Sequence, residues 1–310
     1  MNEFNIDTCK WIIWGAKRPY NTYGHIHEAF LKTLQFLGKE VYWLENGDDI
    51  SQIDFAGSCF LTMNCAYHGI PQRQDGFYIV HNLDDSCRSH FEGLNSLSFG
   101  VHCSLNSYAD SVVEVGPEIY FDKGHRSLAF RWGTDLLPHE IAMNKPKQVF
   151  NSNSTLINYI GTIDSSNEGA ISNFRRAAAE NGIGFEGYGG YGVNKPPVSP
   201  EEGVRLIKES YMAPALQRLD QIERGYVPCR LFKNISYGQF GITHSKYTND
   251  LFGGRLIYNP DTYQLFYDAK ERLQDMKVEE LHSLMDEIAA KHTYLNKIDG
   301  IAAAVRELEN

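Results

Sequence analysis

Residues 11–45, WIIWGAKRPYNTYGHIHEAFLKTLQFLGKEVYWLE, decide the fold. Trp11 to Gly15 is a short apolar run of the kind that forms a buried strand. A loop carrying Lys, Arg, Pro, Asn and Gly follows it. HIHEAFLKTLQFLGK then places apolar residues at helical spacing, Gly38 closes that helix, and Val41 to Glu45 reads as the next strand. Strand, glycine-bearing loop, helix and strand make a βαβ unit, and a βαβ unit implies a parallel sheet.

Downstream, SCFLTM (Ser58 to Met63), GFYIVHN (Gly76 to Asn82) and SLSFGVHC (Ser96 to Cys103) continue the strand series. A polar stretch holding a proline, Asn144 to Ser154, has the composition of a linker, and beyond it the pattern restarts. LINYIGT (Leu156 to Thr162) is a strand ending in Gly-Thr, followed by a helix from about residue 169. GIGFEGYG (Gly182 to Gly189) is a strand running into glycines, and Ser199-Pro200 is a helix start with its N-cap. LFKNISYG forms a helix stopped by Gly238, FGITHS and RLIYN form strands, and the last 40 residues are periodic helix. The expected fold class is α/β, two Rossmann-like domains facing a cleft, with a helical tail. The expected boundaries are residues 1–148 for a first domain, 149–276 for a second, and 277–310 for a tail packing partly on the first. Ligands of such sheets sit beyond the carboxyl ends of the strands.

The totals limit the partners. At 310 residues with 42% hydrophobic and 22% charged residues, the chain has the balance of a globular protein of two ordinary domains. No apolar run approaches the roughly 20 residues needed to cross a bilayer, and the N-terminus does not read as a signal peptide, so a cytoplasmic location is expected. The six cysteines follow no metal-binding spacing and read as buried thiols. A net charge of −10 opposes a nucleic-acid backbone or an anionic membrane as main partner.

GYGGYG (Gly187 to Gly192) matches the dinucleotide pattern GxGxxG, but Pro196 and Pro197 follow where a helix must begin, so it is no NAD site. Tyr188 in that loop is a candidate contact for a nucleotide. No P-loop is present, and no D-x-D pair to hold a divalent ion. Inside the acidic chain one basic cluster stands out, RGYVPCRLFKNISYGQFGITHSK (Arg224 to Lys246). Arg230 and Lys233 lie at i and i+3 near a helix start, where cations, backbone N–H groups and helix dipole converge on a diphosphate.

The run P-C-R-L-F-K-N-I-S-Y-G followed by a strand resembles the donor-domain motif of GT-B glycosyltransferases, P-x-R-x-F-E-x-x-x-x-G. NYIGT (Asn158 to Thr162) resembles the glycine turn opening the donor domain. RWGTDLLPHE (Arg131 to Glu140) resembles the segment before it, and VSPEEGVRLIKESYMAPALQ (Val198 to Gln217) the helix that precedes the donor motif in bacterial-type group 1 transferases. The chain departs from retaining members in one respect: the two glutamates eight positions apart are Gly225 and Lys233 here.

This resemblance implies transfer of a sugar from a nucleoside diphosphate donor, UDP ahead of GDP, to the hydroxyl of an acceptor (a glycan or another molecule), with no cofactor. It makes residues 149–276 the nucleotide-sugar-binding donor domain and residues 1–148 the acceptor-binding domain. The missing D-x-D pair points to no metal and the net charge to no nucleic acid. Donor contacts are expected at Gly24, Gly161, Thr162, Tyr188, Arg230, Lys233 and Asn234. Gly24-His25-Ile26 resembles the G-H-I segment of inverting small-molecule glycosyltransferases, which implies His25 as the base that deprotonates the acceptor and an inverting course. Asp84 or Asp85 is the expected orienting carboxylate and His27 the second choice of base. A nucleotide-sugar 2-epimerase and an inactive nucleotide-sugar-binding subunit share these features.

Overall fold

The computed structural model describes residues 4–15, 17, 22–101, 111–149, 151–189 and 195–309. Two compact units emerge: residues 1–131 with 294–310, and residues 132–293. The chain therefore passes between units at Arg131–Trp132, ahead of the polar linker expected at residues 144–154.

The first unit holds an eight-stranded sheet. Its strands are β1 (Trp11–Trp14), β2 (Val41–Leu44), β3 (Cys59–Met63), β4 (Phe77–His81), β5 (Asn95–Gly100), β6 (Val112–Gly116), β7 (Ile119–Asp122) and β8 (Ser127–Ala129), ordered β2-β1-β3-β4-β5-β8-β7-β6. The six strands from β2 to β8 run parallel, and β7 and β6 are antiparallel additions. That antiparallel edge was not among the expected strands. Its hairpin turns at Glu118, which takes a left-handed φ of 56°, and the Glu118 carboxylate accepts from Arg131 Nη1 at 2.7 Å. β3 and β4 are buried along their whole length, as strands covered on both faces must be.

Helix α1 (Thr22–Phe36) connects β1 to β2 and buries Ile26, Ala29, Phe30 and Leu34, one stripe at helical spacing. It ends two residues before Gly38, whose φ of 69° turns the chain. Because α1 begins at Thr22, Gly24 and His25 lie inside its first turn and not in a loop ahead of it. The short helix α2 (Asp85–Arg88) follows β4.

The second unit contains α3 (Pro138–Met143), β9 (Leu156–Ile160), α4 (Glu168–Glu180), β10 (Gly184–Tyr188), α5 (Pro200–Glu209), β11 (Pro214–Ala215), α6 (Leu219–Glu223), α7 (Cys229–Ser236), β12 (Ile242–Thr243), α8 (Lys246–Leu251), β13 (Ile257–Tyr258), α9 (Thr262–Asp275) and α10 (Val278–Lys291). Two parallel ladders form, β10-β9 and β11-β12-β13. Ser199 caps α5, accepting from Glu202 N at 3.2 Å with Pro200 behind it. Phe174, Phe232, Phe252 and Phe266 fill one continuous core with Leu281 and Met285 of α10. The chain then returns to the first unit as α11 (Tyr294–Glu309). Tyr294 stacks edge-on against Phe30 at 4.7 Å. Gly300 lets α11 cross β7 closely, since a Cβ there would lie 2.7 Å from Ile119. Of the expected helical tail, α10 belongs to the second unit and α11 to the first. The described cysteines are free thiols, buried except for exposed Cys65 and half-buried Cys229; Cys103 lies outside the described residues.

His27 is locked into the first unit. Its Nδ1 lies 2.7 Å from the Gly15 carbonyl, which also accepts from Trp43 Nε1 at 2.9 Å. Burial pushes its pKa down to about 4, only partly opposed by the Gly15 contact. An imidazole that titrates near 6.5 unfolded and near 4 folded stabilises the native state fully above pH 6.5, and the contribution drains away as pH falls toward 4. It amounts to about 3 kcal/mol at most. We expect His27→Phe to flatten the fall in urea-denaturation stability between pH 7 and pH 4.5 by roughly one proton. An unchanged slope in the variant would show that His27 does not carry this dependence.

Candidate functional site

In the second unit the carboxyl ends of the parallel strands come together around one guanidinium. β9 and β11 lie side by side without a regular ladder between them. Two side-chain bonds and one isolated backbone bond take its place: Asn158 N donates to Ser210 Oγ at 2.9 Å, Tyr159 Oη to Leu216 O at 3.1 Å, and Tyr211 N to Leu156 O at 2.8 Å. Unpaired strand-edge groups must find partners somewhere, and here they find them in this seam. Arg230 closes its carboxyl end. Nε donates to Ile160 O at 2.8 Å, at the end of β9, and Nη1 to Leu216 O at 3.0 Å, just past the end of β11. The guanidinium stacks over the Tyr159 ring at 4.1 Å, and Tyr159 itself is buried. Pro228 begins α7 with an extended backbone, which is how the second residue of that helix, Arg230, reaches across the strand ends.

Two of the expected donor residues meet at this guanidinium. Gly161 takes a φ of 143°, and a Cβ there would sit 1.9 Å from Arg230 Nη2. No other residue type fits both the backbone and the space. Gly161 N donates to Tyr188 O at 2.8 Å, and Gly189, with φ 145°, packs against the Gly161 backbone. Arg230 Nη2 makes no hydrogen bond to another described residue, so it is a cation with donors to spare beside half-buried Gly161 and Thr162.

The other expected donor residues are placed differently. Lys233 Nζ lies 3.6 Å from Asp135 Oδ2, and the same carboxylate accepts from Tyr237 Oη at 2.6 and 2.8 Å. Burial and the Asp135 charge push the Tyr237 hydroxyl well above its ordinary pKa. The lysine is thus spent on a carboxylate. Asn234 is buried, and its amide donates to Ala213 O at 2.9 Å, fastening α7 to the segment entering β11. The Tyr188 hydroxyl donates to Glu186 Oε2 at 2.8 Å under the Lys195 ammonium; residues 190–194 of its loop lie outside the described residues. In the first unit, Gly24 is buried and His25 is half-buried in the first turn of α1. Asp84 caps α2 through Ser86 N and accepts from Asn64 Nδ2 at 2.7 Å. Ser86 and Asn64 hold its carboxyl below the usual range. Asp84 is therefore engaged as a cap.

Sequence reasoning passed over two residues at this edge. Ala215 pairs with Thr243, so β11 and β12 end together, with His244 the first residue after β12 and Gln217 the second after β11. His244 and Gln217 stand there, 6% and 3% exposed. Both imidazole nitrogens of His244 and the Gln217 Oε1 are buried without a hydrogen-bond partner among the described residues. Burial lowers the His244 pKa to about 4, with the nearby Gln217 backbone working against the shift, so the ring is neutral at pH 7. The signal was present in the sequence as a histidine directly after the FGIT strand.

The seam makes a stability prediction. Arg230→Ala removes two charge-assisted bonds to carbonyls, each worth ~1.5–3 kcal/mol, and uncovers Tyr159. We expect a loss on the order of 3 kcal/mol in chemical denaturation, and Gly161→Ala to cost at least as much through the Nη2 clash and its positive φ. Wild-type stability in Gly161→Ala would mean that the guanidinium does not rest where it is described.

No protein-family model and no curated protein sequence matches the chain. Solved structures do match in shape. An alpha-glucosyltransferase in complex with UDP-glucose and DNA containing an abasic site superposes with a TM-score of 0.58 at 11% identity, over 96% of this chain and 99% of that one. A trehalose-6-phosphate synthase gives a TM-score of 0.54 at 10% identity, over 97% and 99%. At such identity the likeness speaks for the fold, and it spans both chains nearly end to end. The chain has the GT-B fold of these glycosyltransferases.

Proposed function

We propose that the protein is a glycosyltransferase that moves a sugar from a nucleoside diphosphate donor, UDP ahead of GDP, to a hydroxyl of a glycan or small-molecule acceptor. The observation that carries this reading is Arg230: a guanidinium with Nη2 unused, next to Gly161, at the carboxyl ends of parallel strands. Such edges are where α/β sheets take nucleotides. The alpha-glucosyltransferase of similar fold binds UDP-glucose in one structure and UDP in another, which supports a uridine donor here. Both of those structures also contain DNA. The net charge of −10 on this chain favours a neutral acceptor.

In the transfer, the acceptor oxygen attacks the anomeric carbon while the bond from that carbon to the β-phosphate oxygen breaks. The acceptor proton goes to a base, for which His25 is the candidate in an inverting reaction, and the electron pair leaves with the nucleoside diphosphate. Arg230 Nη2 and the backbone N–H groups after Gly161 stabilise the charge that builds on the leaving group. Lys233, held by Asp135, is neutralised by its counter-ion and is given no direct contact in this assignment.

Calorimetric titration of UDP tests the site. Arg230→Lys keeps a charge but not the fork, and should weaken UDP about ten- to a hundredfold, the worth of one charge-assisted hydrogen bond. His25→Ala should bind UDP within about twofold of wild type and slow transfer about a hundredfold. UDP binding unaffected by Arg230→Lys would remove the assigned phosphate seat. Turnover should also persist in excess EDTA, since the sequence offers no D-x-D pair; activity abolished by chelator and restored by manganese would contradict that.

A further inference from the structure

Buried polar atoms without partners carry a free-energy cost, and native proteins keep few of them without a use. His244 and Gln217 form such a group. His244 directly follows β12 and Gln217 is the second residue past the adjoining β11, the Gln217 backbone lies near the His244 ring, and both side chains are more than nine-tenths buried. The Gln217 amide nitrogen is already committed, donating to Tyr226 O at 3.1 Å. That bond closes the segment from Gln217 to Tyr226, including α6, back on itself, and it fixes which end of the amide is left over. The leftover atom is the acceptor Oε1, and the His244 imidazole, which lies near the Gln217 backbone, offers one donor and one acceptor.

The position adds the second argument. Arg230 Nη1 rests on Leu216 O, one residue before Gln217 and on the strand directly next to His244. Two groups are bonded directly to a diphosphate and are short enough to span to the neighbouring strand end, the ribose and the transferred sugar, while a nucleobase is held away by its ribose. UDP carries the first and not the second, so UDP alone separates them.

We propose that His244 and Gln217 read a hydroxyl of the sugar being transferred. The hydroxyl donates to Gln217 Oε1 and accepts from an imidazole N–H, so one group satisfies both residues at once. This rests on the donor reading above and deepens it, naming the residues that discriminate between donor sugars. No bond is made or broken by either residue; they act through orientation and selectivity.

The test compares UDP with UDP-glucose, UDP-galactose and UDP-N-acetylglucosamine by calorimetry on wild type, His244→Phe and Gln217→Leu. In wild type at least one UDP-sugar should bind more tightly than UDP. In each variant UDP affinity should stay within about twofold, while the advantage of the preferred sugar falls about tenfold or disappears, and the ranking among the three sugars flattens. Thermal melting supplies an independent readout. Replacing an unpartnered buried polar group by an apolar one of similar size is neutral or stabilising, so ligand-free His244→Phe should melt at or above the wild-type temperature; Gln217→Leu also gives up the bond to Tyr226 O, and it is read by its sugar ranking alone. A merely structural role would lower melting and leave the sugar ranking intact, and that result overturns the proposal. If wild type binds UDP but the variants keep its sugar ranking, the subsite falls while the donor reading stands. If wild type binds neither UDP nor any UDP-sugar, both fall together. Should His244→Phe fail to fold, Gln217→Leu carries the comparison alone.

Discussion

The second unit hangs on a seam between β9 and β11 that no backbone ladder closes. Two parallel ladders, β10-β9 and β11-β12-β13, would each present a raw edge there. Ser210, Tyr159 and Arg230 supply the missing partners, and Arg230 takes the carboxyl end, where two carbonyls converge. A cation is the economical choice for that place, because one planar fork satisfies two acceptors and still presents a nitrogen outward. The same residue therefore holds the sheet together and keeps one nitrogen clear of hydrogen bonds to other described residues. Gly161 follows from this, since any side chain would collide with the guanidinium. Gly189 follows in turn, because the two glycine turns rest on each other.

This arrangement changes how the basic cluster is understood. Arg230 and Lys233 sit one helical turn apart, and by spacing alone they are equals. Only Arg230 faces the strand ends. Lys233 turns to Asp135, a residue nearly a hundred positions earlier in the chain, which shares its carboxylate with Tyr237. Where the familiar motif has a glutamate, this chain has a lysine with a built-in counter-ion, so the local charge near α7 is closer to neutral than the sequence suggests. Asn234, adjacent in sequence, points into the core. Three neighbouring residues thus serve three separate ends.

The first unit shows the same division between position and role. His25 and His27 are two residues apart, and both looked available to chemistry. His27 is sealed against the Gly15 carbonyl and kept neutral by burial, whereas His25 stays half-exposed at the start of α1. Asp84, expected to orient a ring, is taken up by capping α2. Short polar residues after a strand are as often caps as catalysts, because a helix starting there needs its first N–H groups satisfied.

Local chemistry was enough to reveal the α/β alternation, the helix ended by Gly38, the Ser199-Pro200 start of α5, the glycine turn at Gly161 and the position of Arg230 near a helix start. Each is a property of a few adjacent residues, written in periodicity, φ preference or charge. The antiparallel β6–β7 edge, the exchange of α11 back to the first unit, the Lys233–Asp135 pair and the orphaned His244 and Gln217 were decided by the tertiary structure. Every one of these depends on which distant segment lies alongside. A histidine after a strand is an ordinary residue in a sequence. It becomes a candidate for recognition only when the fold buries it close to the end of a neighbouring strand that carries a second polar atom without a partner among the described residues.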